Sequence, residues 1–391
     1  MTGETTLLDA VSIARELRPV FAARAADVDA TASFPEENLA DLRRTGLLGV
    51  LVPASAGGFG AGLATVAEVA GELAAGCLST ALIWAMHTQQ VDAVMRVGSP
   101  SLRAELRPRV AGGAYLASVT TEPGKGGHLL SSEAALDRAG DDVQIVREAP
   151  VVTGGGHADG FLVTMRDSST ANRQETTLVY ADRSRLELSD TSGWDTLGMR
   201  GTASGGLKLR GAVPPSHVLG TAGKFREIAL DSMIPLGHIG WAACWLGTAR
   251  GALAALVRHI RSPARSKDLD PRSPLVAERL ARIRTDLEIV SAYLHRVVEE
   301  VARAREDDRP LGTSAQIHLN TLKVVAAEHT YRAVNRMVQL AGLGLGYRRD
   351  SAIPLERHLR DLRSASLNYS DDRLLVATGT LTLADSDVRL A

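Results

Sequence analysis

Hydrophobic and polar positions fall into three regimes along the chain. Over residues 1–114 the apolar residues recur at helical spacing. Ser33-Phe34-Pro35-Glu36 has the Ser-x-x-Glu form of a capping box, with proline in the tolerated first turn. Leu39 and Leu42 then share one face, and Gly46 ends that helix. Val66 to about Met95 is alanine-rich with a period near 3.6, which predicts a buried helical pair. A short helix over Leu102–Arg107 is expected to stop at Pro108.

Over residues 115–220 the pattern shortens. β-prone runs occur at Tyr115–Val119, Val143–Val146, Val151–Val152, Phe161–Met165, Thr176–Tyr180 and Gly206–Leu209. Turn formers such as Gly154-Gly155-Gly156 and Asp190-Thr191-Ser192-Gly193 separate them. This spacing predicts a small antiparallel β-barrel or sheet. Over residues 221–391 helical periodicity returns. Leu280, Ile283, Leu287, Val290, Leu294, Val297 and Val301 step by three and four, and Ile317 to Ala341 gives a second seam that Asn320 interrupts. Both seams read as bundle packing. Pro354 to Leu383 reads as one more helix. The expected class is therefore α+β: an N-terminal α-helical domain, a middle β-domain and a C-terminal four-helix bundle.

Composition narrows the function classes. With 44 basic and 45 acidic residues among 391, the formal charge is −1, and aromatics are 4%. Neither a basic face nor stacking aromatics for nucleic acid are implied. No uncharged apolar run reaches the roughly 18 residues a membrane span needs. The N-terminus lacks the pattern of a signal peptide, and Cys77 and Cys244 sit apart in apolar surroundings, so a cytoplasmic protein is expected. The ten histidines show no ligand spacing, and no metal site is expected.

The candidate chemistry centres on Tyr115–His128, YLASVTTEPGKGGH. A strand that ends in Thr120 and Thr121 and continues into glycines can present O–H and N–H donors to a flat, acceptor-rich ligand. The bland alternative is a strand ending in a Pro-Gly turn.

In four places the chain resembles the acyl-CoA dehydrogenase superfamily. These are Phe34-Pro35-Glu36 through Gly57-Gly58-Phe59-Gly60, then Thr121-Glu122-Pro123-Gly124, then Gly193-Trp194 through Ser204 with Val213-Pro214. The fourth runs from Gln339-Leu340-Ala341-Gly342 to Arg360-Asp361. The resemblance implies a flavin between the β-domain and the C-terminal bundle, FAD first and FMN second. It puts Thr121, its neighbour Thr120, and Thr153 on the flavin ring, and Arg261 on the pyrophosphate. Gln339 and Gly342 fall where a neighbouring subunit meets the adenosine half, which implies a homodimer or homotetramer. Arg360 and Asp361 are expected to form a structural ion pair, and His238 to be a core histidine.

The resemblance also exposes a gap. The family's catalytic glutamate follows the Arg-Asp pair by eight residues, and that position is Tyr369. The alternative family position reads Pro235-Leu236-Gly237-His238, again without a carboxylate. A serine expected near the substrate thioester is Gly127. Three readings remain open, the first of them the leading expectation. Asp371 or Asp372 takes the base role, and the enzyme desaturates an acyl thioester on coenzyme A or a carrier protein, passing electrons to an electron-transfer protein. Alternatively, the protein is a two-component monooxygenase that takes reduced flavin from a reductase and uses oxygen to hydroxylate a carbon or an amine nitrogen. Otherwise it binds flavin without catalysis.

Overall fold

The structure is a computed structural model and describes residues 9–124, 128–138 and 140–391. Five helices open the chain: α1 (Ala10–Thr31), α2 (Glu36–Arg44), α3 (Leu63–Gly76), α4 (Leu78–Val97) and α5 (Pro100–Ala111). Asp9 caps α1 by accepting from Ser12 N–H at 2.8 Å. The expected capping box at Ser33 does not form. The helix starts at Glu36, without a side-chain cap, and the Ser33 hydroxyl meets Thr31 Oγ1 at 2.8 Å instead. Nor does Pro108 stop α5. It sits inside the helix, one turn from the end, and forgoes the hydrogen bond its amide would have made to the carbonyl of Ala104.

Seven strands follow: β1 (Leu116–Val119), β2 (Val143–Ala149), β3 (Gly160–Arg166), β4 (Thr176–Asp182), β5 (Leu186–Ser192), β6 (Gly206–Val213) and β7 (Val218–Leu219). They form two sheets, ordered β1-β3-β4-β7 and β2-β6-β5. Every pair among them is antiparallel except β1 with β3, which is parallel. The parallel pair arises because the chain leaves β1, builds β2 in the other sheet, and returns to β1's side. Val151–Val152, expected as a strand, is an extended link after β2.

The C-terminal part begins with the short α6 (Phe225–Ile228) and a π-turn, Ala229–Met233. It continues through α7 (Ile234–Arg261), α8 (Pro274–Glu306), α9 (Thr313–Gly342), α10 (Leu355–Arg363) and α11 (Asp371–Thr382). The expected final helix is thus two, joined by a loop that carries Tyr369. One hydrophobic core runs through all three parts. α7 ties the two helical parts together, because it crosses α3 with backbone in contact. A Cβ on Gly247 would lie 2.2 Å from the Gly71 carbonyl oxygen, so only glycine lets the helices approach this closely.

Candidate active site

β1 is aimed by side chains from its neighbours. Leu116 N–H donates to His87 Nδ1 at 2.9 Å, so the His87 proton sits on Nε2 and is given to the Leu48 carbonyl, also 2.9 Å away. Burial pulls the His87 pKa down to about 4, which keeps this relay neutral. At the other end of β1, Glu122 is buried. It accepts from Glu133 N–H (2.9 Å), Ala134 N–H (2.8 Å) and Ser132, and pairs with Arg147 on β2. Arg147, itself fully buried, also donates to the Thr121 carbonyl at 2.9 Å. Desolvation lowers its pKa to about 10. The Thr-Glu-Pro-Gly stretch is therefore anchored by its glutamate, and its threonines are held at a fixed corner.

Thr121 Oγ1 donates to the Val151 carbonyl (2.9 Å) and accepts from Val151 N–H (3.3 Å). This stitches the end of β1 to the link after β2. Two residues on, Thr153 Oγ1 accepts from Ser204 (3.1 Å). Ser204 also reaches Thr202 Oγ1 (2.8 Å), which donates to the Met199 carbonyl (2.9 Å). Tyr115 Oη donates to the Thr153 carbonyl at 2.8 Å. Thr121 spends its proton inside the chain, and Ser204, with one proton for its contacts to Thr202 and Thr153, ties Thr153 into an internal hydroxyl network as well. Thr120 lines a separate feature, a cavity of about 30 Å³.

That cavity is walled by Ser118 and Thr120 from β1 and its end, Met86 and Gln89 from α4, and His238 and Trp241 from α7, with Tyr369 closing it. Gln89 is fixed by donating to the Met233 carbonyl at 2.5 Å. His238 has Nδ1 3.1 Å from the Leu319 carbonyl, an acceptor only, so Nδ1 carries the proton and Nε2 is bare. Burial lowers its pKa to about 4. Tyr369 has φ +52, which costs a side-chain-bearing residue roughly 1–2 kcal/mol. Its phenolic oxygen is buried without a partner, and burial raises its pKa.

Neither candidate base lines the cavity. Asp371 Oδ1 lies 2.5 Å from Nζ of the fully buried Lys323, which also donates to the Ala365 carbonyl at 2.8 Å. Desolvation pushes the two pKa values toward each other, up for Asp371 and down for Lys323, against their mutual attraction. Asp372 is exposed at the start of α11. Gly127 lies outside the described residues.

The other flavin candidates stand apart from this corner. Arg261 is exposed at the end of α7 and Gly342 at the end of α9, with φ +68. Gln339 lines an exposed groove with Glu278, Arg279, Arg282 and Arg336. The expected Arg360–Asp361 pair does not form, because neighbours on a helix point apart. Arg360 reaches Asp29 (2.6 Å) and Glu356 (2.8 Å), while Asp361 accepts from Met199 N–H at 2.6 Å. Sequence reasoning missed Lys323, though a lysine beside the apolar seam of α9 was the available signal for a buried partner.

The corner suits a flavin ring. It offers the Thr153 hydroxyl and backbone at Gly154–Gly156, where Gly154 has φ +59. A flat ring rich in carbonyl and imine acceptors matches such donors.

The sequence comparisons agree with this architecture. The family model for the acyl-CoA dehydrogenase N-terminal domain matches residues 10–114, and that for the C-terminal domain matches residues 229–367. The chain belongs to the acyl-CoA dehydrogenase superfamily, whose members are flavin-dependent oxidoreductases. It is 28% identical over 353 residues to cyclohex-1-ene-1-carbonyl-CoA dehydrogenase of Geobacter metallireducens, covering 89% of each chain. Its structure superposes on butyryl-CoA dehydrogenase of Megasphaera elsdenii with a TM-score of 0.87, at 20% identity over 98% of this chain and 99% of that one. The FMN-bound dibenzothiophene monooxygenase of Paenibacillus sp. A11-2 superposes with a TM-score of 0.86, at 23% identity over 96% and 97% of the two chains.

Proposed function

We propose that this protein is the oxygenase of a two-component flavin monooxygenase, hydroxylating a carbon or an amine nitrogen. One observation carries the reading: among the described residues, no carboxylate lines the cavity. Desaturating an acyl thioester needs a base for the α-proton, with a pKa near the working pH. The ionisable groups in the wall, His238 and Tyr369, are both neutral near pH 7. His238 is a weak base, and Tyr369 holds its proton.

FAD, or FMN in its place, would be held by Thr121 and Thr153, with Arg261, Gln339 and Gly342 supplied by a second copy in a homodimer or homotetramer. Bound in reduced form, it would supply the two electrons that oxygen needs. One oxygen atom then enters the substrate and the other leaves as water. The chain's own part is to hold the substrate against an apolar wall, to exclude water, and to keep Thr153 fixed in place. The partner is a flavin reductase. The free, buried Cys77 and Cys244 suit a reducing compartment, and we assign the protein to the cytoplasm.

A second reading, desaturation of an acyl thioester with electrons passed to an electron-transfer protein, is favoured by the 28% identity to an acyl-CoA dehydrogenase. There Asp371 would have to leave Lys323 and move to the substrate, or Asp372 would have to turn inward. The two readings separate in one cuvette. Oxidised holoprotein is mixed anaerobically with a panel of acyl-CoA thioesters, then supplied with NADH, a flavin reductase and air. We expect no bleaching in the first stage and oxygenated product only in the second. Anaerobic bleaching by a thioester would overturn the monooxygenase reading.

A further inference from the structure

We infer that the cavity selects an uncharged aromatic molecule bearing a hydroxyl or amino group, which Tyr369 and His238 read together. The inference rests on this cavity being the substrate site of the proposed function.

The wall is aromatic. The rings of Trp241 and Tyr369 lie 5.8 Å apart at 39°, and those of His238 and Tyr369 lie 6.2 Å apart at 74°. These are separations at which a planar guest can take edge and face contacts in turn. Met86 and Met233 complete the apolar surface. Their flexible thioethers are the parts of the wall able to yield to a ring larger than the present 30 Å³.

Among the described residues the wall also carries no charge. Lys323 and Asp371, which do not line it, pair with each other. A carboxylate guest would therefore meet a desolvated wall with no counter-ion, which disfavours it strongly.

Of the polar atoms on the wall's aromatic rings, two remain uncommitted. The Tyr369 phenol is a buried donor with no acceptor among the described residues. His238 spends its Nδ1 proton on the Leu319 carbonyl, which leaves Nε2 as an acceptor. A donor and an acceptor in one wall are satisfied together by a group that both accepts and donates. A phenolic hydroxyl or an arylamine does this. A hydrocarbon would leave both atoms unpaired, and a site built on such groups rejects the analogue that lacks the polar atom.

The test is a binding series on oxidised holoprotein, read from the perturbation of the flavin's visible spectrum, without reductase or turnover. p-Cresol is compared with toluene, p-toluate and butyryl-CoA. p-Cresol is expected to bind roughly tenfold tighter than toluene and p-toluate, and tighter than butyryl-CoA. Tyr369→Phe should bring p-cresol down to the level of toluene and leave toluene unchanged. If that variant fails to fold, the wild-type ranking decides alone. Equal binding of p-cresol and toluene, or preference for p-toluate or the thioester, would overturn the inference. Because nothing is oxidised in this series, its outcome stands apart from whether the protein oxygenates.

Discussion

Asp371 and Lys323 illustrate how one residue's neighbours decide its role. A carboxylate held against a fully buried ammonium stabilises the fold, and it is costly to remove from one side only. Asp371→Asn is expected to lower stability by roughly 3–5 kcal/mol, whereas the exposed Asp372→Asn should stay within about 0.5 kcal/mol. Urea denaturation of both variants measures this. If Asp371→Asn loses little stability but loses all turnover, Asp371 is a base after all. The buried histidines set a different expectation. His87 and His238 have pKa values lowered by desolvation to about 4, and His358 to about 3. In the unfolded chain each titrates near its ordinary 6.5, so between pH 6.5 and 4 the unfolded state binds protons that the folded state refuses. Their contribution is present above pH 6.5 and is lost as pH falls, at about 1.4 kcal/mol per pH unit for each histidine. The Nδ1 of His358 is buried without a partner, so His358→Leu should flatten the slope of urea midpoint against pH without cutting a side-chain hydrogen bond made by that atom.

At the scale of elements, the Glu122–Arg147 link matters most, because it joins β1 to β2 and holds the Thr121 carbonyl. Arg147→Met leaves Glu122 buried without its cation, at an expected cost of roughly 3–5 kcal/mol. It should also weaken FAD binding in equilibrium dialysis, since the threonine corner loses its brace. Intact FAD affinity in a folded Arg147→Met protein would separate the corner from the cofactor. The order of elements was legible because long periodic stretches carry their own signal, as α3, α4 and the α8 seam show. β5 was not legible. Its alternation is confined to Leu186-Glu187-Leu188, and Asp190-Thr191-Ser192, expected as turn formers, are exposed strand residues instead. The α9 seam was read only in part. Leu319, Leu322, Ala326, Ala333 and Met337 bury a second face because α9 packs on α7, α8, α10 and α11 at once. Of the site, the threonine corner could be read from motif order. The cavity wall could not, because Met86, His238 and Tyr369 meet only after three separate helical segments pack together.

On the scale of the whole molecule, one chain leaves its proposed cofactor groups divided. Thr121 and Thr153 share a corner of the β-domain, while Gln339 and Gly342 sit exposed at the far end of α9. Around that end the chain exposes Leu343 and Tyr347, 78% and 66% accessible. Large apolar side chains exposed side by side fit a surface that another protein covers. A second copy placed there would also bring the arginines beside Gln339 to a partner's cofactor, where guanidinium forks match phosphate oxygens. Sedimentation of the holoprotein is therefore expected to give at least twice the chain's 41.4 kDa. Leu343→Asp combined with Tyr347→Asp should shift it toward one chain, because two carboxylates would then have to be buried without partners. If the partner supplies part of the cofactor's berth, FAD affinity should fall roughly tenfold or more in the same variant, and dilution of wild type should release flavin in step with dissociation. A monomer that keeps FAD as tightly as wild type would mean that the two halves of the berth are never joined across an interface, and that Arg261, Gln339 and Gly342 have no part in holding it.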